Sequence, residues 1–248
     1  MLPSYSVLGV RVHAVQMPEV IQQLQTWIQN RESGRYVAVT GMHGVAEAQQ
    51  HGDFRNILNA ADLVVPDGMP LVWLGRWHHH ALHHRVSGSE LMEAFCRETG
   101  PLCRHFFYGG APGVAEELAA ILCERYGIVV TGTYAPPFRP LTHEEQIEIA
   151  ARVQRAAPDV LWVGLSTPKQ ERWMREHREM LNVPVMVGVG AAFDMISGKV
   201  QRAPLWMQEH GLEWLFRLGT EPQRLWRRYL VVIPKAAWSV CWELIRES

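Results

Sequence analysis

From about residue 35 to residue 190, short apolar runs rich in β-formers alternate with stretches of helical period, and few folds accept that alternation. The runs are Tyr36–Thr40, Leu63–Val65, His105–Tyr108, Ile128–Thr131, Val160–Leu165 and Val183–Val189. Between them lie patterns such as Val114–Tyr126, where Val114, Leu118, Ile121 and Leu122 recur at three- and four-residue steps. Thr142-His-Glu-Glu145 and Thr167-Pro-Lys-Gln170 each fit a capping box and predict helix starts, the second with proline at the first helical position. Strands separated by helices need crossover connections. The expected fold is therefore α/β: a Rossmann-like, mostly parallel sheet with helices on both faces. After about Gly198 strand-like runs disappear, and arginine, tryptophan and helix signals dominate. This places an α/β domain at 1–199 and a C-terminal helical appendage at 200–248.

The net charge of −1 gives no global field toward nucleic acid, so none is expected as a partner. Cys96, Cys103, Cys123 and Cys241 are scattered, with no CxxC pair, and read as thiols in a reducing compartment. The start, MLPSYSVLGVRVHAV, lacks the basic and apolar regions of a secretory signal. No stretch reaches the roughly 18 apolar residues of a spanning helix. A cytoplasmic protein is expected, unless something tethers it.

In a parallel sheet, ligands bind outside the carboxyl ends of the strands. The segments that follow the runs are Thr40-Gly-Met-His-Gly44, Pro66-Asp-Gly68, Gly109-Gly-Ala-Pro-Gly113, Gly164 through Glu171, and Gly188-Val-Gly-Ala-Ala-Phe-Asp194. Glycines, small polar residues and isolated charges at one sheet edge suit a phosphate-bearing ligand held by backbone amides. Asp67 reads either as a base that takes a proton from a hydroxyl or as a turn aspartate before glycine. Lys169 and Gln170 open a helix whose N-terminus suits a diphosphate, but Gln170 also fits as the capping partner of Thr167. Gly109 and Gly110 give a dinucleotide-style signal without the full GxGxxG pattern or a well-placed acidic residue, leaving a nucleotide-dependent oxidoreductase as an alternative. His78, His79, His80, His83 and His84 lack an HExxH glutamate and read as a solvated helix end, so no metal is expected.

Near the C-terminus, Arg224, Arg227 and Arg228 fall at i, i+3 and i+4, with Arg217 just upstream. Trp238, Cys241, Trp242 and Ile245 form an apolar stripe at i, i+3, i+4 and i+7. Arginines beside tryptophans describe a membrane-interface module or an amphipathic helix packed on the domain. A membrane-surface binding protein without catalysis is a further alternative.

Taken together and in order, several segments resemble the WecG/TagA/CpsF family of glycosyltransferases. They are Pro66-Asp-Gly68, Arg85-Val-Ser-Gly-Ser-Glu-Leu91, Pro168-Lys-Gln-Glu171, Gly188 through Asp194, Arg202-Ala-Pro204, Gly211-Leu-Glu-Trp-Leu-Phe-Arg217 and Glu221-Pro-Gln-Arg224, and the resemblance runs from about residue 35 to residue 230. It implies an inverting, metal-independent transfer from a UDP-sugar donor to a polyprenyl-diphosphate-linked sugar acceptor, an early step in making a surface polysaccharide. Residues 1–199 would then be the nucleotide-sugar-binding catalytic domain. Asp67 takes the place of the family's catalytic base, and Thr40, Arg85 and Gln170 those of its substrate-binding residues. Gly109, Gly110, Gly190 and Asp194 join the expected substrate-binding set, as do Arg217, Arg224 and Arg227 of the appendage, which in the family is thought to meet the membrane. The implied enzyme uses no cofactor and is peripheral on the inner face of the bacterial plasma membrane; homo-oligomerisation stays open. Two departures stand out. Met42 and His43 occur where the family usually has an asparagine two residues after the threonine, and Ser166-Thr167 replaces its usual glycine. They leave N-acetylmannosamine, its uronic acid and glucose all open as the donor sugar.

Overall fold

The computed structural model describes residues 2–247, the side chains of Glu209, Arg224 and Glu247 excepted. The chain opens with a hairpin of β1 (Ser4–Val7) and β2 (Val10–His13), paired antiparallel. Leu8 and Gly9 turn between them at φ 50° and 77°, the two successive positive values of a tight hairpin turn. Sequence analysis assigns no strand here, because four-residue strands are too short for their alternation to stand out.

The alternating region follows. Its first elements are α1 (Met17–Gln29), β3 (Arg35–Thr40), α2 (Met42–Gln50), α3 (Gly52–Asn59), β4 (Leu63–Pro66), α4 (Met69–Trp77) and α5 (Gly88–Thr99). Next come β5 (Arg104–Gly109), α6 (Val114–Tyr126), β6 (Val129–Tyr134), α7 (His143–Ala156), β7 (Val160–Gly164), α8 (Lys169–Leu181), β8 (Val185–Gly188) and α9 (Ala192–Ile196). The chain continues through α10 (Leu205–Glu209), α11 (Glu213–Thr220), α12 (Pro222–Arg227), a π-helical turn at Arg228–Val232, and α13 (Ile233–Glu247). Among the described residues after 200 there is no strand.

The six expected runs are the six strands of one parallel sheet flanked by helices, in the order β4-β3-β8-β7-β5-β6. β4 and β8 are buried at every position and β3 at all but its first, so these strands read as continuous apolar runs rather than as alternation. β6, at the edge, is only half-buried. Its register against β5 slips after His105, and Gly132 there lies against Phe106, where a Cβ would come within 2.5 Å of a ring carbon.

The chain forms two compact units. One comprises Met17–Ala38 and Ser87–Gln201, with its core around Trp162. The Trp162 indole donates to His105 Nδ1 at 3.1 Å, and Phe95 meets its ring edge-on at 5.7 Å. Burial pushes the His105 imidazole down to about 4, so it is neutral at pH 7. Thr142 and Glu145 make the expected capping box at the start of α7. The box expected at Thr167 is absent: α8 has Pro168 as its N-cap, and the Thr167 hydroxyl donates instead to the Glu171 carboxyl at 2.8 Å. A buried carboxyl one residue beyond the expected partner outcompetes the cap.

The other unit comprises Met1–Gln16, Val39–Val86 and Arg202–Ser248. His13 ties the hairpin to β4 by accepting from the Val64 N–H at 3.0 Å, and the Tyr5 hydroxyl donates to the Leu71 carbonyl at 2.7 Å. α13 packs on α2 and buries Ala236 and Val240.

Candidate active site

Asp67 lies just past β4, where local geometry makes room for it. Its N–H donates to the Thr40 carbonyl at 2.8 Å, joining the ends of β3 and β4. Gly41 permits that approach, since a Cβ there would stand 2.5 Å from the Asp67 carbonyl oxygen. Gly68, at φ 122°, then turns the chain into α4 and leaves the Asp67 carboxylate 39% exposed.

Arg85 is 18 residues further along the chain. The Val86 N–H donates to the Pro66 carbonyl at 3.0 Å, which brings Arg85 back beside Asp67. Its guanidinium is only 10% exposed, with Nη1 3.5 Å from Asp67 Oδ1. Nη2 donates to Gln208 Oε1 at 2.7 Å and lies 3.0 Å from Glu213 Oε2. Sequence analysis singles out neither Gln208 nor Glu213; both fall in the helical segment that follows Arg202-Ala-Pro204, Glu213 inside the Gly211–Arg217 motif and Gln208 inside none.

Thr40 is buried, and its Oγ1 has no hydrogen-bond partner in the structure. Its side chain leans over the first turn of α2, where a Cβ on Gly44 would meet Thr40 Cγ2 at 2.7 Å. In that turn, burial and the charge of Arg228 push His43 down to about 4, so His43 is a neutral imidazole. Arg217 pairs with Glu221 at 3.6 Å. The Arg227 guanidinium lies 5.9 Å from the centre of the Trp226 ring. Arg227 also lines a cavity of about 490 Å³ with Gln49, Val231, Val232, Lys235 and Ser239. Arg227 and Arg228 therefore face different neighbours, as consecutive residues of a helix point about 100° apart. The Arg224 side chain lies outside the described residues.

In the unit of residues 17–38 and 87–201, Gln170 is 1% exposed and engaged at both ends of its amide. Oε1 accepts from the Gly190 N–H at 2.9 Å, while Nε2 donates to Glu171 Oε1 at 3.0 Å. Glu171 is fully buried, and burial pushes its carboxyl up. Gln170 is thus not the capping partner of Thr167; it pins the glycine turn after β8. Gly109, at φ 131°, lies so close to Gly164 that a Cβ would stand 2.4 Å from the Gly164 carbonyl oxygen. The Gly110 N–H donates to that same carbonyl at 3.1 Å. Asp194 sits half-buried in the first turn of α9.

Thr40, Asp67, Arg85, Arg217 and Arg227 accordingly belong to one unit, and Gly109, Gly110, Gln170, Gly190 and Asp194 to the other. The histidine run begins at the C-cap of α4, with His79, His83 and His84 exposed. Among the described residues no group of three His, Cys, Asp or Glu side chains is arranged to hold a metal ion. Among them, too, no helix is long and apolar enough to cross a membrane.

A carboxylate–guanidinium pair thus stands at a strand end of a parallel α/β sheet, the edge at which such sheets bind ligands. The profile of the Glycosyl transferase WecG/TagA/CpsF family matches residues 5–248, and the chain belongs to that family. It is a glycosyltransferase, as the ordered motifs imply. The chain is similar to two curated proteins, each an N-acetylglucosaminyldiphosphoundecaprenol N-acetyl-beta-D-mannosaminyltransferase. That of Bacillus spizizenii strain W23 is 30% identical over 222 residues, covering 89% of this chain and 84% of the relative. That of Bacillus subtilis strain 168 is 29% identical over 189 residues, covering 76% and 72%.

Proposed function

We propose that this glycosyltransferase moves N-acetylmannosamine from a UDP-sugar donor onto an N-acetylglucosaminyl-diphospho-polyprenyl acceptor, with inversion and without a metal. The acceptor and the sugar follow the names of both relatives. The observation that carries the chemistry is the Asp67 carboxylate 3.5 Å from the Arg85 guanidinium.

Asp67 takes the proton from the acceptor hydroxyl as its oxygen forms a bond to the anomeric carbon. The bond from that carbon to the UDP oxygen breaks in the same step, and UDP leaves with the electron pair. Attack from the face opposite UDP inverts the centre. Arg85, whose side chain is itself only 10% exposed, stabilises charge on the departing diphosphate. Arg217, Arg224 and Arg227 supply further positive charge to the two diphosphates. In the unit of residues 17–38 and 87–201, Gln170, through the Gly190 turn that it pins, Gly109, Gly110 and Asp194 are further substrate-binding groups, and in the other unit Thr40 offers its hydroxyl.

The acceptor is lipid-linked, and α13 carries the matching surface. Trp238, Trp242 and Ile245 are 75%, 55% and 68% exposed on one helical face, with exposed Cys241 among them. This face docks at the membrane interface, where indoles favour the headgroup layer, and makes the enzyme peripheral on the cytoplasmic leaflet.

UDP release, measured with a panel of UDP-sugars, the lipid-diphosphate acceptor and excess chelator, tests the proposal. Acceptor-dependent release should survive the chelator and fall by about 10³ in Asp67→Asn, the usual weight of a general base. Equal turnover by the variant would remove Asp67 as the base, and no release with any donor would remove the transfer itself.

A further inference from the structure

Arg85 is the most heavily engaged cation of the proposed site, and two of its partners come from the helical segment after Arg202. Its Nη2 faces both Gln208 Oε1 at 2.7 Å and Glu213 Oε2 at 3.0 Å, while Nη1 faces Asp67 at 3.5 Å. Among the described residues, two carboxylates therefore share the guanidinium of a side chain that is 10% exposed. A diphosphate cannot join them without strong like-charge repulsion at low local dielectric, so one carboxylate has to yield.

The two are held very differently. Asp67 stands on a turn fixed by the Asp67–Thr40 and Val86–Pro66 backbone hydrogen bonds, both made by the Pro66–Asp67 peptide unit that leads into the aspartate's Cα. Glu213 hangs from the first residue of α11 by a longer, rotatable stem and is 28% exposed. Once released, its charge stays at the N-terminus of α11, where the amides of the first turn favour an anion and no side chain caps them. Gln208 is neutral, and its Nε2 donates to the Ala203 carbonyl at 2.7 Å, so it keeps its grip on Arg85 whether or not an anion is present.

We infer that Glu213 is a displaceable placeholder for the diphosphate charge on Arg85, and that Gln208 is the positioning residue that keeps the guanidinium aimed while Glu213 and the ligand exchange. The inference rests on the proposed UDP-sugar reaction. It makes the segment after Arg202 part of the donor-binding cycle: its carboxylate neutralises Arg85 in the empty enzyme and gives way when the donor enters.

The test is calorimetric titration of the full chain with UDP and, separately, with inorganic pyrophosphate, beside steady-state kinetics. Glu213→Gln should bind both anions about tenfold more tightly and lower the donor KM to match, the weight of one charge-assisted contact no longer opposed. Gln208→Ala should move the other way, with kcat/KM down about tenfold and the melting temperature held. In an Arg85→Gln background the Glu213→Gln gain should vanish, because the cation that Glu213 shields is gone. Should Glu213→Gln melt early, Glu213→Ala carries the same comparison.

A purely structural Glu213 would weaken anion binding when removed. Unchanged or weaker UDP affinity in both variants, or a gain that persists without Arg85, overturns the inference while leaving the transferase reading intact. Wild-type protein that binds neither UDP nor pyrophosphate overturns both.

Discussion

All three tryptophans of the unit formed by residues 17–38 and 87–201, Trp27, Trp162 and Trp173, are 8% exposed or less. All seven of the other unit, Trp73, Trp77, Trp206, Trp214, Trp226, Trp238 and Trp242, are at least 39% exposed. Residue type is the same, so the environment makes the difference. Both faces of a covered parallel sheet accept large rings, and Trp162 fills one with its N–H satisfied by His105. Short helices of five, eight and six residues, as in α10, α11 and α12, cannot enclose their own indoles. Exposed apolar area on that scale marks a surface that something else covers. Buried polar side chains occur in both units, Gln170, Glu171, His105 and His177 in the first and His13 and Thr40 in the second, where the Asp67 side chain is 39% exposed.

Three variants press on this contrast. Trp162→Ala should cost about 3–5 kcal/mol in urea denaturation, since it empties a closed core and orphans His105. A loss under about 1 kcal/mol would mean that the core around β7 is soft and the contrast is overstated.

Glu171→Gln tests the buried polar groups through pH. Burial raises the Glu171 carboxyl above its ordinary value of 4.5. The native state therefore holds that proton more tightly than the unfolded chain does. The resulting stability is complete below about pH 4.5 and is lost as pH rises through the folded value. The difference in unfolding free energy between the variant and the wild type should shift in favour of the variant across that rise. A difference that stays flat would show Glu171 ionised and paired throughout. His105 works with the opposite sign: held neutral, it costs stability as pH falls from 6.5 toward about 4.

The smallest stability effect is expected from Trp238→Ala with Trp242→Ala, within about 0.5 kcal/mol per site, because both rings are mostly exposed. Sedimentation with lipid vesicles should nonetheless fall by about tenfold or more, as two interfacial indoles are lost. Destabilisation on the scale of Trp162 would show this face to be packed against protein instead.

The α/β class and all six sheet strands were legible in the chain. Runs such as Leu63–Val65 and Val183–Val189 are apolar throughout because both faces of the strand are covered, and that signal is local. The capping box at Thr142 was equally local, whereas the similar pattern at Thr167 failed because Glu171, one residue further on, captured the hydroxyl. The β1–β2 hairpin escaped notice because its strands interleave exposed with buried residues over only four positions, whereas β4 and β8, equally short, are apolar throughout.

The candidate site divides in the same way. The sequence by itself put Asp67 at the end of a buried strand and placed glycines after β5 and β8, since strand ends and turn residues are written in neighbouring positions. Only the tertiary structure set Arg85 against Asp67, through the backbone bond between Val86 and Pro66. It alone brought Gln208, 123 residues away in the chain, onto the same guanidinium, and turned Gln170 toward Gly190, 20 residues on. Those pairings depend on how strands register and on which buried polar group finds a partner first. Both are settled by packing among distant segments, and no local pattern of residues encodes them.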